Sequence, residues 1–250
     1  GFNGGRGGLF GIKAEGRLGG LEVTMVTTQD KGSSNRKTFQ GQAEESADEI
    51  RDHRFLENTY FFFDSAHRKA FPNDPAERDQ IDIASVDVYV NDFNDINDIE
   101  DRAISGIAYS SWNNDGTPNE QNSRAVTDGL QEGSYHQIDR SQYLVDARGY
   151  LIMSNIRVST GSALAVAYRT RDGRRFGDVG FIQGTGQSQI RLKLLKAKNP
   201  RSESATWPLM WRNVYSLGGR NIEPNGFDLR ILKEVAGREP VDSENGRPYI

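Results

Sequence analysis

Three histidines, an acidic run and a few glycine-rich turns are the only residues from which this chain could assemble a reactive or metal-binding centre. Cysteine is absent, which removes disulfides, thiolate catalysis and cysteine-based zinc sites together. His53, His67 and His136 show no His-Glu-x-x-His spacing. His53 and His67 could share a helix face, but four turns would hold them roughly 21 Å apart, too far for one metal ion. Both are expected on a helix surface. The run Asn91-Asp92-Phe93-Asn94-Asp95-Ile96-Asn97-Asp98-Ile99-Glu100-Asp101 offers oxygen ligands for calcium. It lacks the sixth-position glycine of an EF-hand loop, and Phe93, Ile96 and Ile99 interrupt it every three residues. A solvated acidic loop or a single helical turn is the expectation.

Phosphate-cradling loops fail the same test. In Gly4-Gly5-Arg6-Gly7-Gly8 the place of the third glycine of a Gly-x-Gly-x-x-Gly pattern is held by Phe10, and after Gly184-Thr185-Gly186 it is held by Gln189. Trp112 and Tyr109, beside the polar loop 113–123, could form an aromatic platform for sugar or peptide, although burial under that loop is the plainer expectation. No catalytic residue, cofactor or metal ligand is assigned. Lys and Arg total 31 against 35 Asp and Glu, a net charge of −4, so no global positive field exists to hold a nucleic acid. Apolar stretches such as Tyr60 to Phe63 are far shorter than the roughly 20 residues of a spanning helix, which leaves transmembrane strands open.

The clearest element is a hairpin. Residues 9–30 hold two runs of period-2 alternation flanking Gly19-Gly20, a dipeptide suited to a two-residue turn. With Leu18 opposite Leu21, one face carries Phe10, Ile12, Ala14, Leu18, Leu21, Val23 and Met25. The other carries Lys13, Glu15, Arg17 and Glu22, with Arg17 across from Glu22. Such a hairpin suits either a sheet in a soluble core or the wall of an outer-membrane barrel, where about 9 to 11 alternating residues cross the bilayer.

Downstream, residues 31–48 read as a polar loop. The apolar spacing from 49 to 71 predicts a helix stopped by Pro72. Tyr60-Phe61-Phe62-Phe63 is too dense for one helix face, so some of it is expected to meet a second surface, another domain or a partner, with Phe61 and Phe62 as the candidate partner contacts. Strands are expected at 81–90, with a bulge near Ala84-Ser85, and at 103–109, 190–194 and 227–232. Residues 164–181 predict a second hairpin around Asp172-Gly173, whose two-residue register puts Leu164, Val166 and Tyr168 on one face with Val179 and Phe181. Residues 207–217 predict a short helix with Pro208 in its first turn. The class is α+β, mainly antiparallel, with a barrel-type hairpin followed by a β-rich domain holding two helices.

Taken together, several segments resemble the SprA family, giant outer-membrane β-barrels that serve as the translocon of the type IX secretion system in gliding and other Bacteroidetes-like bacteria. Leu9-Phe10-Gly11-Ile12-Lys13-Ala14-Glu15 through Leu21-Glu22-Val23-Thr24 is similar to the barrel strand pair before the family's motility-and-secretion domain. Arg54-Phe55-Leu56 with Tyr60-Phe61, and Val86-Asp87-Val88-Tyr89-Val90, resemble that domain's helix and first strand. The most specific matches are Leu164-Ala165-Val166-Ala167-Tyr168 with Asp172-Gly173 and Val179-Gly180, then Leu192-Lys193-Leu194-Leu195-Lys196, then Trp207-Pro208-Leu209-Met210-Trp211-Arg212-Asn213. Val241-Asp242-Ser243-Glu244-Asn245-Gly246-Arg247 looks like the lead-in to a further barrel segment. Pro208, the glycine-rich start and the acidic 91–101 run depart from the family's pattern.

The resemblance implies a division into a lead-in and barrel hairpin (1–30), a loop (31–48), an α+β domain outside the bilayer (49–240) and a second lead-in (241–250). It implies that Phe10, Ile12, Ala14, Leu18, Leu21, Val23 and Met25 face outer-membrane lipid while Lys13, Glu15, Arg17 and Glu22 face a watery lumen. It implies a structural role without catalysis, and as partners the rest of the barrel chain, accessory and plug subunits, and secreted client proteins. The chain starts Gly1-Phe2-Asn3 and stops at Tyr249-Ile250 as an extended segment begins, the pattern expected of a piece of a longer protein. The competing readings are a free-standing carbohydrate- or protein-binding β-rich module and an enzyme without a recognised motif.

Overall fold

The computed structural model describes residues 11–18, 21–28, 49–100, 102–182, 188–218 and 228–249, the first two segments as backbone. The chain divides into two units, Gly1–Glu49 and Ile50–Ile250. In the first, β1 (Gly11–Leu18) and β2 (Leu21–Thr28) form an antiparallel hairpin with Leu18 opposite Leu21 and Arg17 opposite Glu22, the register that the alternation predicts. Phe10 and the loop 31–48 lie outside the described residues.

The second unit runs β3 (Tyr60–Phe62), α1 (Ser65–Ala70), β4 (Ile81–Asn91), β5 (Ile104–Tyr109), α2 (Glu120–Ala125), β6 (Leu130–Gln137), β7 (Tyr143–Asp146), β8 (Tyr150–Met153), β9 (Ala163–Thr170), β10 (Arg175–Phe176) and β11 (Ile190–Lys196). It ends in a small hairpin of β12 (Ser243–Glu244) and β13 (Arg247–Pro248). The architecture is β-rich α+β, mostly antiparallel, with two short helices. No described helix is long and apolar enough to cross a membrane.

The largest sheet closes on itself. β9 pairs antiparallel with both β4 and β11, β11 runs parallel to β5, β5 pairs with β6, and β6 returns to β4 through Gln137 opposite Tyr89. β10 continues the pairing of β9 beyond β11. A ring of five strands has a narrow interior that side chains must fill, so small residues are needed where large ones also enter. Leu164-Ala165-Val166-Ala167-Tyr168 meets that need by alternation. Ala163, Ala165 and Ala167 of β9 join Tyr89, Ala108, Tyr135, Ile190, Leu192 and Leu194 in one core, with residues from all five strands. Leu164, Val166 and Tyr168 point the other way, into a second core shared with Phe61, Phe63, Tyr143 and Leu151 of the β3-β8-β7 sheet. The bulge in β4 falls between Ile81 and Val86, where the Asp82 carboxylate accepts from the Ala84 amide and the Ser85 hydroxyl.

Four sequence expectations are corrected. The helix expected over 49–71 is confined to α1; Tyr60–Phe62 forms β3 against β8, because consecutive aromatics suit a strand covered on both faces. The helix expected over 207–217 is a single 3-10 turn, Trp207–Leu209. Beyond it Met210 bridges Phe61, and the Trp211 amide donates to the Tyr60 carbonyl at 2.9 Å, so this apolar segment straps β3. The strand expected over 227–232 is not formed by its described part, residues 228–232.

The fourth correction is a one-residue slip in the second hairpin. Arg169 faces Arg175 and Tyr168 faces Phe176, which makes Arg171-Asp172-Gly173 a three-residue loop in place of the expected two. A one-residue slip sends side chains to the opposite face. Val179 and Phe181 lie beyond the end of β10 at Phe176, unpaired with β9, and are partly buried against the barrel-interior core, away from Leu164, Val166 and Tyr168. The loop is a turn closed by the Gly173 amide on the Thr170 carbonyl, 2.9 Å, followed by Gly173 at φ +92. No atom lies within 4 Å of where a Cβ would be built on Gly173, so backbone conformation alone opposes a side chain there. Gly173→Val is expected to destabilise the 50–250 unit by about 1–3 kcal/mol in denaturant unfolding. A change near zero would contradict the turn.

Candidate functional site

Of the side chains singled out in the sequence, Ile12, Ala14 and Leu18 fall in β1 and Leu21, Val23 and Met25 in β2, with Lys13, Glu15, Arg17 and Glu22 on the alternate positions. Phe61 and Phe62 do not form a partner surface. In a strand they point to opposite sides: Phe61 is fully buried beside Phe63, and Phe62, 7% exposed, stacks on Trp211 with centroids 4.7 Å apart. The second surface that the aromatic density demands comes from the chain itself, as Trp211, Phe71 and Tyr150. The acidic run is folded by Asx turns. Asn91 Oδ1 accepts from the Phe93 amide, Asp92 Oδ1 from Asn94, and Asn94 Oδ1 from Ile96. Among the described residues no group of three or more His, Asp or Glu side chains is placed to hold a metal ion.

His53 is exposed, but His67 is buried, which corrects the surface expectation. Asp64 caps α1, its Oδ1 accepting from the Ala66 and His67 amides, and the same oxygen lies 2.8 Å from His67 Nδ1. His67 Nε2 is 3.0 Å from the Asp79 carbonyl. Nε2 thus meets a hydrogen-bond acceptor, while Nδ1 lies at ion-pair distance from the Asp64 carboxylate without hydrogen-bond geometry, so the carboxylate favours the imidazolium by its charge. Burial opposes that charge, but the Asp64 carboxylate and the Asp79 carbonyl outweigh it and raise the His67 pKa. Burial likewise opposes ionisation of Asp64, yet His67 holds its carboxyl well below the ordinary range. Burial lowers the Lys193 pKa, with Asp64 partly compensating, and burial pushes the Tyr168 hydroxyl far up. His67 is buried and Asp64 a quarter exposed, and through the Asp79 carbonyl the pair joins α1 to the segment that precedes β4.

Lys196 is used in the same way. Its Nζ donates to the carbonyls of Ser159, Thr160 and Ser162 at 2.9, 2.9 and 2.6 Å, one proton for each. Burial pushes it down to about 8, which leaves the ammonium charged at neutral pH.

The accessible candidate is a cleft of about 470 Å³ at β10, lined by Trp112, Gly116, Arg175, Val179, Phe181 and Arg191 among others. It exists because the loop after β5 crosses β10 at Gly116, where a Cβ would stand 2.2 Å from the Arg175 carbonyl oxygen. Trp112 is half-buried, its Nε1 donating to the Tyr109 carbonyl at 3.0 Å, and its ring packs edge-on against Tyr109 and Phe176. Tyr109 is buried, so only the indole half of the expected platform reaches the cleft. Arg191 is paired with Asp178 at 2.8 Å, Arg174 with Asp79 and Asp172, and Arg169 with Asp82. Arg175 makes no ion pair among the described residues and is exposed. A half-open trough of mixed polar and apolar surface, with the Arg175 guanidinium exposed at its rim, can take a small anionic or polar group. The sequence signal for it was Trp112 beside a polar loop; the arginine became visible only when β10 placed it.

No family model matches the chain, and no curated protein matches it.

The Asp64–His67 pair fixes a pH dependence. His67 has a folded pKa above its unfolded value near 6.5, so its contribution is whole below that pH and is lost as pH rises through the raised value. Asp64 is depressed from 3.8, so its contribution is whole above that pH and is lost only in strong acid. Asp64→Asn keeps a good helix cap while removing the carboxylate. It is expected to cost about 2–4 kcal/mol near pH 6, less near pH 9, measured by denaturant unfolding at both. An equal loss at the two pH values would contradict a charged His67.

Proposed function

We propose that the chain is a structural segment of an outer-membrane β-barrel translocon of the type IX secretion class, with β1 and β2 in the barrel wall and the 50–250 unit a protein-binding domain outside the bilayer. The observation that supports this most is the β1–β2 ladder. Leu18 stands opposite Leu21, Arg17 opposite Glu22, Gly16 opposite Val23, Glu15 opposite Thr24 and Ala14 opposite Met25, so apolar and polar pairs alternate down the hairpin. Opposed residues share a face, which gives one apolar and one polar side, as a wall between lipid and a watery lumen requires. The described strands are eight residues each, one short of the roughly 9 to 11 with which a tilted barrel strand crosses the bilayer. Ile12 opposite Thr27 and Lys13 opposite Val26 mark where the alternation weakens.

In this reading Ile12, Ala14, Leu18, Leu21, Val23 and Met25 contact outer-membrane lipid. The partners are the rest of the barrel chain, accessory and plug subunits, and exported client proteins. The domain contributes binding and scaffolding, and the chemistry of export is left to other components. A second reading, a β-rich module that binds protein or carbohydrate, is favoured by the cleft beside Trp112. The two separate in the bilayer. With spin labels at Ala14 and Glu15 of the full-length protein in lipid vesicles, the Ala14 label is expected to be accessible to oxygen and the Glu15 label to a polar quencher. Equal accessibility at the two positions would remove the lipid assignment.

A further inference from the structure

The cleft at β10 is half open and its lining is mixed, more polar than apolar, so a ligand that fills it must be polar over most of its surface. Its charges decide the sign of that ligand. Asp178 is engaged at both oxygens: Oδ1 accepts from Arg191 Nη2 at 2.8 Å and Oδ2 from the Arg191 amide at 2.7 Å. That leaves Arg175, exposed at the rim and outside any ion pair among the described residues, as the uncompensated charge of the cleft. A guanidinium presents paired N–H donors in a fork that matches a carboxylate.

Trp112 adds a surface of a different kind. Its Nε1–H is committed inward to the Tyr109 carbonyl at 3.0 Å, so the half-buried indole offers the cleft hydrocarbon and π surface without a donor. A flat aromatic surface among polar groups suits the C–H face of a sugar ring, whose hydroxyls need the polar remainder. The frame around it is held by the Asp178 amide donating to the Arg191 carbonyl at 2.9 Å and the Gly180 amide donating to Asp87 Oδ2 at 2.7 Å. We propose that the cleft binds a saccharide that bears a carboxylate, a uronic acid, with its ring on Trp112 and its carboxylate on Arg175. With one such guanidinium in a half-open site the binding is weak, with a Kd of about 1 mM, and it weakens further as salt is added. The site lies wholly within the 50–250 unit and goes beyond the translocon reading.

The test is saturation-transfer NMR on the 250-residue chain, with digalacturonate as the probe, the neutral disaccharide digalactose as its uncharged counterpart and acetate as competitor. Transfer to the ring protons of digalacturonate is expected, with a Kd about tenfold or more below that of digalactose. Two substitutions address the charge separately. Arg175→Gln removes it at an exposed position. Gly180 is exposed, no atom lies within 4 Å of where its Cβ would stand, and Asp tolerates its φ of +69, so Gly180→Asp sets an opposing carboxylate at the rim. Each is expected to weaken digalacturonate about tenfold while leaving digalactose unchanged, a split that a merely structural effect would not produce; circular dichroism checks that each variant is folded. Absence of transfer to digalacturonate at about 10 mM would overturn the proposal, as would equal affinity for digalactose. So would acetate displacing digalacturonate at equal concentration, the mark of an adventitious anion only, or wild-type binding in both variants. All chains are compared at one concentration and share β1 and β2, so association through that hairpin cannot imitate a loss at the cleft, and failure of the lipid assignment at Ala14 and Glu15 is read in its own experiment.

Discussion

A strand that must satisfy two cores at once governs the 50–250 unit. β9 lies between β4 and β11 in the ring, and both of its faces are buried. The ring interior accepts alanine from it because Tyr89, Tyr135 and the β11 aliphatics already fill the space. The outer face needs Leu164, Val166 and Tyr168 to cover the rings of Phe61 and Phe63. Neither set can be exchanged for the other without a void on one side and overpacking on the other. Register along β9 is therefore over-determined, and the β3-β8-β7 sheet can dock in only one way.

Charge placement follows from that double burial. Asp64 and His67 stand where α1 meets the outer core, and each is the reason the other can remain ionised away from water. Lys196, at the far end of β11, ties that strand to the carbonyls of Ser159, Thr160 and Ser162 in the loop before β9. These groups join elements.

Much of the strand pattern is legible in the sequence because period-2 alternation encodes which face is buried. β1, β2, the second half of β4 and the start of β11 carry it, and the β4 bulge shows as a break of phase at Ala84-Ser85; β9, buried on both faces, reads instead as a continuous apolar run. Helices are harder to read because apolar spacing without its partners is ambiguous. The aromatics of β3 and the strap at 210–214 fit 3.6-residue spacing, yet both are fixed by backbone pairing between segments some 150 residues apart. The slip at Asp172-Gly173 is a matter of local register: the dipeptide suits a two-residue turn, but Tyr168 pairs with Phe176 and Arg169 with Arg175, which leaves three residues in the loop. His67 was legible as a residue and not as a site, since nothing local tells that its two nitrogens meet Asp64 and the Asp79 carbonyl. The cleft likewise depends on Gly116 crossing β10, a contact between residues distant in sequence.

If β9 is the shared wall of two cores, its amides should open only when the whole unit opens. Native-state hydrogen exchange across a denaturant series measures this directly. Amides of residues 164–168 are predicted to belong to the slowest class, exchanging with the free energy and denaturant dependence of global unfolding, while those of β7 and β8 exchange at or below that level. Exchange of β9 through a smaller opening, with β7 and β8 still protected, would contradict the account.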